Sequence, residues 1–115
     1  MSEFVTTKIL DGIAIVTVDN PPVNAIDQNI RAGLKNAFES INADSNLKAV
    51  ILRCAGRTFM AGADIKEFDA PIAEPGYHEV FETIENSTKL VVAAMHGTAL
   101  GAGLEAALAL SLIHI

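Results

Sequence analysis

"LKAVILRCAG", residues 47–56, is the stretch that decides the fold. Ala49 to Leu52 form an unbroken apolar run, too short for a free-standing helix and closed by a glycine at Gly56. Such a run reads as a strand buried on both faces. Upstream, "QNIRAGLKNAFESINA" (28–43) has helical period, with Ile30, Leu34, Phe38 and Ile41 on one face and Asp27 placed as its N-cap. Further back, "FVTTKIL" and "IAIVTVD" are rich in β-branched residues and flank Asp11-Gly12, a tight-turn dipeptide, so residues 4–19 read as a hairpin. Between hairpin and helix, Pro21 and Pro22 of "NPPVNAI" end the strand and force an extended stretch. Downstream, "YHEVFETIENSTKL" reads as an amphipathic helix with Val80, Phe81 and Ile84 inward. "LVVAAM" (90–95) reads as another strand, and "GAGLEAALAL" as the start of a helix. The order β-β-α-β-(loop)-α-β-α predicts one α/β domain.

The chain has 115 residues, half of them hydrophobic, with a net charge of −6. That length suits one small domain. The acidic balance argues against non-specific nucleic-acid binding, which needs a basic footprint. A lone cysteine, Cys54, cannot close an internal disulfide, so a reducing, cytoplasmic setting is expected, with Cys54 as a small buried hydrophobe. The first residues have neither a basic start nor an apolar signal core, and no run approaches the roughly 20 apolar residues of a membrane span. The histidines (His78, His96, His114) have no metal-ligand spacing with Cys54 or with one another, which points to surface or loop positions and to no metal site.

Two loops have the composition for chemistry. "FMAGADIKEF" (59–68) follows the strand that ends at Cys54. Ala61, Gly62 and Ala63 let a ligand approach the main chain, and Asp64 opens a helical turn whose unpaired N–H groups favour an anion or a polarised carbonyl. The simpler reading is a tight turn N-capped by Asp64. "GTALGAGLEA" (97–106) repeats the pattern, with Gly97, Gly101 and Gly103 around a helix start and Ala102 between two of them. If the two loops face each other, their N–H groups form an oxyanion hole. Glu105 then lies beside it on the first helical turn. A carboxylate there is also explained by the helix dipole alone, at about 0.3–1 kcal/mol. However, Leu104, Ala106, Ala107, Leu108, Ala109 and Leu110 make the helix apolar on nearly every side, so it is a buried one. Burial raises a carboxylate's pKa while the helix start lowers it, leaving a group able to give and take a proton. Both readings of Glu105 stand at this point. "GAGLEA" also fits the dinucleotide pattern G-x-G-x-x-A. But five residues, His96 to Leu100, separate its first glycine from the strand, and the acidic residue expected about 20 positions on has no counterpart. An NADH titration tests that reading.

"IAIVTVDNPPVNAID", "FMAGADIKEF" and "HGTALGAGLEAALA" resemble, in order and spacing, successive segments of the crotonase family, the enoyl-CoA hydratases and isomerases. The resemblance runs from about Val5 to Ala109, and "HGTALGAGLE" looks nearest to the hydratase part of bifunctional fatty-acid β-oxidation enzymes. It implies an incomplete crotonase-like spiral of β-β-α units acting on acyl-CoA thioesters, with coenzyme A as part of the substrate and no metal or redox cofactor. Carried over by motif, the N–H groups of Ala63 and Ala102 hold the thioester oxygen and Glu105 is the first catalytic glutamate. Ala61, Gly62, Asp64, Ile65 and Gly101 border the substrate. In hydratases a second glutamate lies about 20 residues beyond the first, whereas isomerases use a different acid–base set. A non-catalytic acyl-CoA binder is the other expectation. The family usually has glycine where Ala102 stands; the N–H survives the change, and the added methyl is expected to crowd the thioester, or to strain the turn where φ is positive. "LSLIHI" (110–115) interrupts the family pattern, so residues 1–109 are expected to be the N-terminal part of such a domain and 110–115 a foreign or truncated tail. The fragment is then expected to be inactive and poorly stable by itself, and its parent to be a homo-oligomer or to carry a covalent dehydrogenase domain.

Overall fold

The computed structural model describes residues 4–21, 24–56, 74–95 and 112–114. The hairpin forms as read. Strand β1 (Val5–Leu10) pairs antiparallel with β2 (Ile13–Val18), with Leu10 opposite Ile13. Asp11 and Gly12 both have positive φ, 52° and 80°. A two-residue turn of the primed kind needs this to match the twist of its strands.

Helix α1 spans Gln28–Ala43. The Asp27 carboxylate accepts the Ile30 N–H at 2.9 Å, satisfying one of the free donors at the helix start. Ile30, Leu34, Phe38 and Ile41 are buried on one face. Strands β3 (Ala49–Cys54) and β4 (Leu90–Ala94) follow, separated by helix α2 (Tyr77–Glu85). Val80 and Ile84 of α2 are buried and Phe81 packs against the core from a partly buried position. A further short strand, β5 (Leu112–His114), stands in the segment read as a tail. His114 therefore belongs to a strand rather than a loop. The sheet order is β1-β2-β3-β4-β5, parallel from β2 onward.

The core lies on one side of this sheet. Ala14, Val16 and Val18 of β2, Val50, Leu52 and Cys54 of β3, and Val91 and Ala93 of β4 alternate inward to meet α1 and α2. This corrects the reading of β3 as buried on both faces. Ala49 and Ile51 are only partly covered and Arg53 is exposed, donating to the Thr17 hydroxyl at 3.2 Å. The apolar alternates on the second face produce an unbroken apolar run without being deeply buried.

Candidate functional site: the C-terminal end of the parallel strands

Strands β2, β3 and β4 run parallel, with Val18 opposite Cys54 and Leu52 opposite Ala93. Their C-terminal ends therefore lie side by side, neighbouring strands being about 4.8 Å apart. The connections leaving this end begin at Asp19, Ala55 and Met95. In open α/β sheets, ligands bind outside this end of the strands. The two motif-bearing segments are those that follow β3 and β4. Their predicted site residues, Ala61, Gly62, Ala63, Asp64 and Ile65 in one and Gly101, Ala102 and Glu105 in the other, lie outside the described residues, as does His96.

The described residues form the frame on which those segments begin and end. Just past β3, the Ala55 N–H donates to the Val18 carbonyl at 2.8 Å. The Ala55 carbonyl accepts the Asn24 side-chain amide at 2.9 Å. Asn24 belongs to the β2–α1 connection and is 2% exposed. Its Oδ1 accepts the Asn20 N–H at 2.7 Å, its own N–H donates to the Asn20 carbonyl at 2.8 Å, and the Asn20 amide donates to the Ala25 carbonyl at 2.8 Å. At the far side of residues 57–73, the chain returns to the same region. The Gln28 side chain donates to the Glu74 carbonyl at 2.9 Å and Arg31 Nε donates to the Pro75 carbonyl at 2.7 Å. The Tyr77 hydroxyl donates to the Ile26 carbonyl at 2.8 Å, and the Arg31 guanidinium lies over the Tyr77 ring, 4.5 Å from its centroid. Such a cation–π contact strengthens when shielded from water, and Arg31 is fully buried. Both described ends flanking residues 57–73 are thus tied to residues 24–31.

Sequence reading missed Asn24 and Arg31. Asn24 carried one local signal, since asparagine tolerates positive φ and its φ is 55°. Its partner Ala55, 31 residues away, carried none. Arg31 sits next to Ile30 on a helix whose polar positions are mostly solvated, so its burial was not visible in the pattern. Cys54, at the end of β3, is fully buried as expected. Burial pushes its thiol from the ordinary 9.0 up to about 12, with the nearby Arg53 charge opposing weakly. A thiol so held has almost no thiolate at neutral pH and is no nucleophile. Among the described residues, no helix is long and apolar enough to cross a membrane.

Residues 8–114 match the family model described as enoyl-CoA hydratase/isomerase. A Bacillus subtilis (strain 168) protein named probable enoyl-CoA hydratase is 39% identical over 105 residues, covering 84% of this chain and 40% of that protein. The Homo sapiens peroxisomal bifunctional enzyme is 37% identical over 109 residues, covering 94% of this chain and 15% of that enzyme. Among solved structures, an enoyl-CoA hydratase/carnithine racemase from Magnetospirillum magneticum superposes with a TM-score of 0.90 at 33% identity, covering 98% of this chain and 46% of that one. The chain thus spans less than half the length of each of these proteins.

Proposed function

The chain belongs to the enoyl-CoA hydratase/isomerase family, and on that premise we propose that it carries the enolate-stabilising half of an acyl-CoA site, most consistent with hydration of a 2-enoyl-CoA in fatty-acid β-oxidation. In this reading the N–H groups of Ala63 and Ala102 hold the thioester oxygen. Glu105 takes a proton from water as the water oxygen bonds to C3 of the enoyl group. The charge moves onto the thioester oxygen as an enolate, and C2 then takes a proton from a second acid. Ala61, Gly62, Asp64, Ile65 and Gly101 border the thioester. Donors already aimed at the oxygen where charge develops are worth about 100- to 1,000-fold each in turnover.

The observation that supports this reading is the parallel pairing of β3 with β4. It starts the segments bearing Ala63 and Ala102 from adjacent positions at the ligand-binding end of the sheet, as two donors converging on one oxygen require. The likeness to bifunctional enzymes supports an attached dehydrogenase part, and the family supports self-association; both belong to this proposal. The buried lone thiol suits a reducing, cytoplasmic setting, with the peroxisome of the bifunctional relatives as the other candidate compartment.

The test uses the product of the longest reading frame containing this chain. Crotonyl-CoA hydration is expected, and Glu105→Gln is expected to lower kcat by at least about 100-fold, the scale of a lost general base. Binding of acetoacetyl-CoA, an enolate mimic, should persist in the variant. Undiminished turnover by Glu105→Gln removes the residue from the mechanism. Tight thioester binding without turnover in the unaltered protein leaves a binder in place of an enzyme. Isomerisation of a 3-enoyl-CoA without hydration moves the reaction to the isomerase branch.

A further inference from the structure

We propose that Asn24 is a positioning residue for this site, its side-chain amide fixing where and in what direction the chain leaves β3 towards Ala63. The inference rests on the acyl-CoA reading above and assigns to it a residue outside both motifs.

Asn24 and Arg31 are the buried polar side chains among the described residues. Burying an amide is unfavourable unless its donors and acceptors are met. Asn24 meets them in two directions at once. Its Oδ1 and main-chain N–H close the loop onto Asn20, while its Nδ2 reaches Ala55. Ala55 lies one residue past the end of β3 and is held on both of its peptide groups, through its N–H by Val18 and through its carbonyl by Asn24. Gly56 follows with a φ of +81° and open space where a Cβ would be. The turn is thus made at a glycine with positive φ, directly after a residue pinned on both of its peptide groups. A structural staple of the β2–α1 loop needs only the Asn20 bonds. The bond to Ala55 reaches beyond that loop and ties it to the exit from β3. A misplacement of about 1 Å at a reacting centre costs on the order of 100-fold in rate, which is the scale on which such a pin acts.

Two variants separate the roles. Asn24→Asp is isosteric, tolerates positive φ and keeps the acceptor for the Asn20 N–H, but loses the donor to Ala55 and sets a carboxylate against that carbonyl. Asn24→Gly keeps the positive φ and loses both side-chain bonds. In the full reading-frame product, both are expected to lower kcat for crotonyl-CoA by about 100-fold while affinity for a saturated acyl-CoA stays within about threefold. Amide exchange of peptides covering 55–65 should rise about tenfold, with peptides covering 28–43 unchanged as the sign that the fold is intact. A kcat for Asn24→Asp within about threefold of the unaltered protein overturns the proposal, as does unchanged exchange over 55–65. An unaltered protein with neither hydratase nor isomerase turnover overturns the functional reading first, and the catalytic role of Asn24 with it. Unchanged exchange in an active protein overturns the pin alone.

Discussion

At the scale of single residues, Asp27 shows what local sequence can reveal. A carboxylate directly before a periodic apolar face is a helix-start signal with a short-range cause, and the bond it predicts to Ile30 is present. Removing it isolates that cause: Asp27→Ala should lower the unfolding free energy by about 1 kcal/mol in urea titration at pH 7. A loss under about 0.3 kcal/mol would mean that water caps the helix equally well. Cys54 makes a prediction of opposite range, set by burial rather than by neighbours in sequence. Below pH 9 its thiol is protonated in folded and unfolded chains alike, and its full contribution to stability is present. Between 9 and about 12 the unfolded chain releases that proton and the folded chain keeps it, so stability falls as pH rises. Cys54→Ala should flatten the decline of stability across that window relative to the unaltered chain. A thiol reagent at pH 8 should label Cys54 only on unfolding. Asn24 lies beyond either kind of reading, because its defining bond joins residues distant in sequence through two loops with no shared pattern.

Among the elements, α1 was legible to the residue, since its N-cap and its period agree. β3 was legible as a strand but not in its surroundings. A continuous apolar run and a one-sided strand with small or aliphatic alternates look alike until a charged residue intervenes. Arg53, between Leu52 and Cys54, was the residue that reports the open face: it is exposed and donates to the Thr17 hydroxyl. The energetic weight of the covered face is large. Phe38 has no exposed surface, so Phe38→Ala should cost about 3–5 kcal/mol by chemical denaturation, several times the effect of the cap. The hairpin turn gives a smaller and more specific expectation. Gly12 adopts positive φ, its carbonyl accepts the Lys48 N–H at 2.7 Å, and an added Cβ would approach the Asn46 carbonyl at 3.5 Å, an ordinary contact. Gly12→Ala should therefore cost about 1–2 kcal/mol, all of it backbone conformation rather than collision. Gly12→Asn, which tolerates positive φ, should recover much of that loss in the same titration.

Over the whole molecule, the two faces and two ends of the sheet divide the work. The covered face supplies the core, and the C-terminal end of the parallel strands gathers the three connections discussed above. The order of strands and helices from β1 to β4 was readable from the chain, whereas β5 stands where a tail was expected and the helix read over GAGLEAALAL lies outside the described residues. The common starting edge of the two glycine-containing segments was not readable, because the parallel pairing of β3 with β4 depends on how α2 returns the chain and not on either strand's composition. The opposite end has a different character. Leu10, Ile13, Ala49 and Leu90 are successive register partners across four strands, forming one apolar row at the end remote from the proposed site. Leu10 is 56% and Leu90 49% exposed at its two extremes, so neither gains much from folding. Replacing both by lysine should leave the chemical-denaturation midpoint nearly unchanged, within about 0.5 kcal/mol, as surface changes do. It should also lower light scattering at high protein concentration, because an exposed apolar row on a sheet promotes association. Thioester binding should be untouched by the pair of changes, since the row and the proposed site stand at opposite ends of the same strands. A loss of more than about 2 kcal/mol would show instead that this row is covered in solution, as a core position is.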